Sequence, residues 1–160
     1  HTSGARIFST PQEEDIEEVK IDSAVHCAVD RCKPLARENG MEIDLNCPSE
    51  GCGVHGGELL PEVFSNIIEN SIHHSGGSRI RIEGDDSGGE VICIIEDDGR
   101  GIPDEDKERI FDKGFTTDEE RGSGLGMFLV KTLLDIYGGS IEVKDSELGG
   151  ARFEIRLRKA

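Results

Sequence analysis

Between residues 59 and 72 the apolar side chains Leu59, Leu60, Val63, Phe64, Ile67, Ile68 and Ile72 recur at spacings of three and four, which is the pattern of a helix buried along one side. Asn66, Asn70 and His73 fall at i, i+4 and i+7 along the border of that stripe, so one helix face carries them together. Such a helix has to lie in the middle of the fold. Its polar edge then sits where the core meets solvent, the place for a site.

The other segments arrange themselves around it. Residues 1–20 are small and polar, then acidic, with Glu13, Glu14, Asp15, Glu17 and Glu18 crowded together; they read as a linker or fragment N-terminus, leaving 21–160 as one domain. Val25, Ala28, Val29, Cys32, Leu35 and Ala36 predict a helix over 24–39, closed by Asn39-Gly40. Met41, Ile43 and Leu45 alternate as a strand, and the Gly-rich stretch 51–57 reads as a turn. Segments 79–83 and 91–95 predict a hairpin about Asp85-Asp86-Ser87-Gly88-Gly89, the second strand apolar on both sides as if doubly covered. A third helix is expected after Gly124, with Leu125, Phe128, Leu129, Thr132, Leu133 and Ile136 inward and a stop at Gly138-Gly139. Strands at 140–144 and 151–158 follow, with Phe153, Ile155 and Leu157 facing in and Arg152, Glu154 and Arg156 facing out. The sum is an α/β two-layer sandwich, a mixed and mostly antiparallel sheet covered on one face by three helices.

Composition restricts the partners. The chain has 160 residues and a formal net charge of −16, which suits a single domain and argues against sequence-independent binding to nucleic acid or to an anionic membrane surface. No apolar run approaches the roughly 20 residues of a membrane helix, and no signal peptide is visible. A start at His1 rather than Met reads as an excised fragment or a tag remnant, and a membrane anchor, if there is one, is expected upstream. Five cysteines in a chain without export signals read as reduced intracellular thiols. Cys27/Cys32 and Cys47/Cys52 repeat one gap, but residues five apart on a helix point about 140° away from each other, and strong zinc signatures are CxxC pairs.

Four further clusters follow the Asn helix. In 97–101, Asp97 ends an apolar strand and precedes Gly99 and Gly101, which let backbone approach a flat ring. A carboxylate accepts only, so Asp97 suits an exocyclic amine such as that of adenine, with Ile102 packed beside the base and Asp98 a solvated turn residue. In 111–115, Phe111 and Phe115 flank Lys113, and the polar run 116–123 lacks the burial needed to hold one conformation. It is expected to be a mobile lid, with Lys113 and Arg121 as its basic side chains. Gly122, Ser123, Gly124, Leu125 and Gly126 open the third helix, turning unpaired amides and the positive dipole end toward an anion. The spacing is neither that of a P-loop nor that of a dinucleotide fingerprint. Residues 149–153 read Gly-Gly-Ala-Arg-Phe.

In this order, 66–75, 97–101, 111–115, 122–126 and 149–153 resemble the N, G1, F and G2 boxes and the closing strand motif of the ATP-binding catalytic domain of two-component sensor histidine kinases, a branch of the gyrase, chaperone, kinase and MutL superfamily. The resemblance covers about 24–157. It implies a Bergerat-type ATP-binding fold and a site for ATP and Mg²⁺. Asn70 is then the metal ligand, with Asn66 and Lys113 completing the catalytic set. His73 stands where these kinases usually carry Lys or Arg, and Ala151 where they usually carry Thr near adenine. The resemblance implies partners too: an upstream histidine-bearing dimerisation domain and a response regulator, in the cytoplasm. His26 is followed by Cys27 and Ala28 rather than an acidic residue, so the acceptor histidine is expected outside this chain, which should bind ATP and barely turn it over. Hydrolysing clamps of the same superfamily carry a Glu base four residues before the metal Asn; here that place is Asn66, and an amide cannot take a proton from water. An anti-sigma-factor-like serine kinase or interaction module is the remaining alternative, which the F-box cluster and long lid disfavour.

Overall fold

In chain order the elements are β1 (Glu17–Lys20), α1 (Ile21–Glu38), β2 (Glu42–Asn46), β3 (Gly53–Gly56), α2 (Leu60–His74), β4 (Arg79–Ser87), β5 (Glu90–Asp97), α3 (Gly126–Tyr137), β6 (Ser140–Asp145) and β7 (Ala151–Arg158), with 3₁₀ turns at Asp104–Asp106 and Arg109–Phe111. The computed structural model describes residues 15–46, 51–115 and 125–160.

Strand β5 organises the sheet. Val91, Cys93, Ile95 and Asp97 are all buried, and the two-residue period puts them on one face. Strand β5 pairs antiparallel with β4 and β7. Beyond β4 lies β2, in parallel; beyond β7 lies β6, antiparallel. The order is therefore β2-β4-β5-β7-β6, the mixed, mostly antiparallel sheet expected. Helix α2 packs between α1 and α3, with Leu60, Val63, Phe64, Ile67 and Ile68 fully buried. The central helix is thus the one with the clearest apolar stripe.

Three details differ from the sequence reading. Within the stretch expected as a turn, β3 forms and pairs antiparallel with β1, while Val54 bridges to Lys159 beyond the main sheet. Four residues with a glycine at each end are too short for alternation to register. The pairing partner, Glu17–Lys20, lies in the segment expected to be linker. Second, β5 is covered on one face only. Ile92 and Ile94 remain half-buried on the far side, their register partners being Asp85 and Arg156, and Glu83 and Glu154; the aliphatic stems of such side chains shield apolar surface without a second layer. Third, α3 buries Met127, Val130, Leu133, Leu134 and Tyr137, whereas Leu125 and Phe128, expected inward, are exposed.

The far face of the sheet holds an ionic network. Glu96 is 0% exposed, yet it accepts from Arg81 Nη2 at 2.7 Å, Arg152 Nη1 at 3.0 Å and Ser146 Oγ at 3.1 Å. Glu154 lies on this outward face, as expected, yet is buried beneath Lys144 and Arg152. Burial pushes the Glu96 carboxyl up, but the hydrogen bonds from Arg81, Arg152 and Ser146 outweigh it, so its pKa lies below the usual range. A depressed folded pKa adds stability above the unfolded value, and that stability is lost as pH falls through the folded one. Glu96→Ala is expected to destabilise the domain by about 3 kcal/mol, the low end for breaking a buried ion pair, and to flatten its acid limb. Urea denaturation at several pH values measures both.

The described cysteines, Cys27, Cys32, Cys52 and Cys93, are not joined to one another by disulfides, and burial raises the Cys32 thiol to about 12. Cys47 lies outside the described residues. Among the described residues no helix is long and apolar enough to cross a membrane.

Candidate functional site

At the C-terminal end of β5 the apolar row runs out in a carboxylate. Asp97 continues the inward line of Val91, Cys93 and Ile95 and is 2% exposed, lying beneath the last turns of α2. A cleft opens there, lined by Asn70, Ser71, His74 and Ser75 from α2, Asp97, Gly101 and Ile102 after β5, and Ala151 and Phe153 from β7. One Asp97 oxygen, Oδ1, accepts from the amides of Gly99 at 3.0 Å and Ala151 at 3.2 Å. Burial pushes the Asp97 carboxyl above its usual range, partly offset by those two amides and the Ser71 hydroxyl. That hydroxyl is buried, without a hydrogen bond of regular geometry.

Close backbone approach makes this possible. A Cβ at Gly150 would overlap Asp97 Oδ1, and one at Gly99 would overlap the Ser75 carbonyl. Gly101 has φ +73 and lies against the Gly150 backbone, a conformation and a contact that favour glycine. Asp98 differs from the expected solvated turn residue. It accepts from Ser78 N at 2.8 Å, Ser78 Oγ at 2.8 Å and Arg79 N at 3.0 Å, tying the start of β4 to the end of β5.

The second half of the site is where α2 meets α3. A Cβ on Gly126 would fall 2.9 Å from Asn66 Oδ1, so the first turn of α3 abuts that carboxamide. Asn66 Nδ2 donates to the Glu62 carbonyl at 2.7 Å, which fixes the amide with its oxygen toward α3. The positive end of the α3 dipole thus opens one turn of α2 away from Asn70. Gly126 and Leu125 are at this end, Leu125 with its side chain exposed. Gly122, Ser123, Gly124 and Arg121, with the lid expected over 116–123, lie outside the described residues.

Asn70, Asp97, Gly101 and Ile102 therefore share one cleft; Asn66 and Gly126 adjoin each other beside it. His73 is not among the cleft residues, and His74 is. At 100° per residue, position 73 falls within about 20° of Asn66, whereas 74 lies beyond Asn70 toward Ser71. Phe111 packs partly buried on the core. Lys113 is exposed, its Nζ 6.0 Å from the Phe128 ring centre, a contact consistent with that ring's exposure. The sequence reading missed Ser71, Ser75, His74 and Phe153; the i+4 step from Asn70 to His74 was the available signal.

Residues 56–160 match the family described as histidine kinase-, DNA gyrase B-, and HSP90-like ATPase. The chain belongs to that family. Its relatives include the sensor protein SrrB of Staphylococcus aureus (strain MRSA252), 33% identical over 142 residues, which are 82% of this chain and 24% of SrrB. The sensor-like histidine kinase SenX3 of Mycolicibacterium smegmatis is 32% identical over 150 residues, covering 89% of this chain and 39% of SenX3. The chain thus spans well under half the length of these relatives. Among solved structures, full-length ShkA in complex with AMPPNP superposes with a TM-score of 0.80 at 25% identity, covering 98% of this chain and 34% of ShkA.

Proposed function

We propose that this domain binds Mg²⁺-bound ATP and presents the γ-phosphoryl group to a histidine on an upstream helical dimerisation domain, as one step of two-component signalling to a response regulator. The observation that carries the reading is the placement of Asp97 and Asn70 in one cleft, with the start of α3 against Asn66. The residues fit the ligands. Asp97 offers an acceptor with one oxygen already fixed by two amides, and the buried Ser71 hydroxyl beside it has hydrogen-bonding capacity to spare for the polar edge of a purine.

Ile102, Ala151 and Phe153 supply apolar walls for the ring. Asn70 supplies a neutral oxygen of the kind Mg²⁺ takes, and the bound ion would neutralise charge on the phosphate oxygens. Asn66 and the α3 amides stabilise the triphosphate end; this local positive field offsets the domain's net charge of −16. Lys113 is the described basic side chain of the expected lid. The domain's contribution to phosphoryl transfer is positioning and electrostatics. Asn66, standing where clamp ATPases hold a base, leaves water unactivated. The same reading puts the domain in the cytoplasm, where ATP is available.

The ShkA structure holds AMPPNP, and SenX3 is named a histidine kinase; both support the assignment. The test is incubation with γ-labelled ATP and a helical, histidine-bearing partner domain. Label should pass to the partner in an acid-labile, base-stable phosphoamidate, with little release of inorganic phosphate by this chain alone. Acid-stable phosphoserine, or rapid phosphate release without the partner, would contradict it.

A further inference from the structure

Between the Gly101 turn and residue 115 the chain forms only two 3₁₀ turns, so something other than sheet or helix has to add to core packing in holding Ile102 in the cleft wall. Lys107 does so. Its side chain is 15% exposed, while the carboxylates it meets belong to Asp104 and Asp145, 93% and 77% exposed. The ammonium donates to the Ile102 carbonyl at 2.8 Å and to Asp104 Oδ1 at 2.6 Å, and Asp145 Oδ1 lies 2.9 Å away. An ammonium has three donors, and these acceptors match them one for one.

The third partner gives the arrangement its consequence. Asp145 ends β6 and is the cross-strand partner of Ala151, which lines the same cleft as Ile102. Lys107 therefore links the backbone carbonyl of one wall residue to the strand position directly across from the other. Gly101 against Gly150 closes the gap beneath. Surface ion pairs contribute little to stability, so a link among such exposed carboxylates is better suited to fixing a distance than to holding the fold. We propose that Lys107 is a positioning residue for the base pocket: through Ile102 and Asp145 it sets the separation of the two apolar walls. This rests on the reading above that the cleft takes adenine.

The experiment is calorimetric titration of the whole chain with ADP and, separately, with inorganic triphosphate, which has no base, alongside thermal melting. Lys107→Met is expected to weaken ADP binding about tenfold, the scale of one charge-assisted hydrogen bond, and to leave triphosphate binding and the melting temperature nearly unchanged. Lys107→Arg should restore most of the ADP affinity. Asp145→Asn should weaken ADP binding severalfold in the wild-type background but add little to Lys107→Met. Asp104→Asn, whose carboxylate is local to the same turn, should change little. ADP affinity within twofold of wild type in Lys107→Met and Asp145→Asn would overturn the proposal, as would equal losses for ADP and triphosphate. Asp97→Asn, run in parallel, separates the levels: if it loses ADP while the Lys107 and Asp145 variants do not, only this proposal fails; if Asp97→Asn binds ADP like wild type, the adenine reading fails as well.

Discussion

Asp97→Asn is expected to yield a folded domain whose affinity for ATP is lower by on the order of 100-fold, the cost of setting one buried donor against another. The amide oxygen can still accept from Gly99 and Ala151, which now bond a single Asp97 oxygen, so the local backbone has no reason to move. The other position changes from acceptor to N–H₂ donor and meets the exocyclic amine of adenine. Stability should respond in the opposite direction. Burial raises the Asp97 pKa, and a group with a raised folded pKa contributes most below its unfolded pKa and loses that contribution as pH rises through the folded value. At neutral pH the wild type therefore carries a buried charge at a cost, which the amide removes. Calorimetry should show the loss of binding while the melting temperature holds or rises. Wild-type ATP binding should also weaken on mild acidification, earlier than an ordinary carboxylate would dictate. Unchanged affinity in the variant would remove Asp97 from the base pocket.

Asn70→Ala addresses the other end of the ligand. Asn66 donates through Nδ2 to the Glu62 carbonyl and turns its oxygen toward α3, whereas Asn70 lines the cleft and carries a carboxamide oxygen of the kind a hard cation takes. Truncation should abolish the dependence of triphosphate binding on Mg²⁺. Affinity with the metal should fall by roughly tenfold or more, as for loss of one charged contact, while affinity without metal stays at the wild-type level. Titration with ATP in Mg²⁺ and in chelator measures the difference directly. A Mg²⁺ effect equal to that of wild type would assign the metal to other ligands.

Much of this site was legible because its parts sit at the ends of strongly periodic elements. The α2 stripe fixed which face is buried, and so where Asn66 and Asn70 emerge. Asp97 stands at the last inward position of an apolar alternation, where a carboxylate is too costly to bury without a purpose. The same logic failed where periodicity was weak. Helix α3 failed for another reason: at 100° per residue Lys131, Thr132 and Asp135 share one face with Phe128 between them, so the polar side was visible, yet Leu125 and Phe128 were placed inward when they are exposed. His73 and His74 differ by one residue on a helix end, and only packing decides which enters the cleft. Strand β3 is too short to show a pattern, and β1 gains its pairing only from β3. Lys107 carries no local signal at all, sitting in an acidic run; its role depends on Asp145, distant in sequence and brought near by the β6–β7 hairpin.

The most direct measurement is a crystal structure of the domain with Mg²⁺ and a non-hydrolysable ATP analogue. The adenine amine is expected on the Asp97 carboxylate, the ring beside Ile102 and Ala151, the metal on the Asn70 oxygen and the phosphates at the start of α3. Nucleotide bound elsewhere, or bound with its phosphates at Asp97, would contradict this placement.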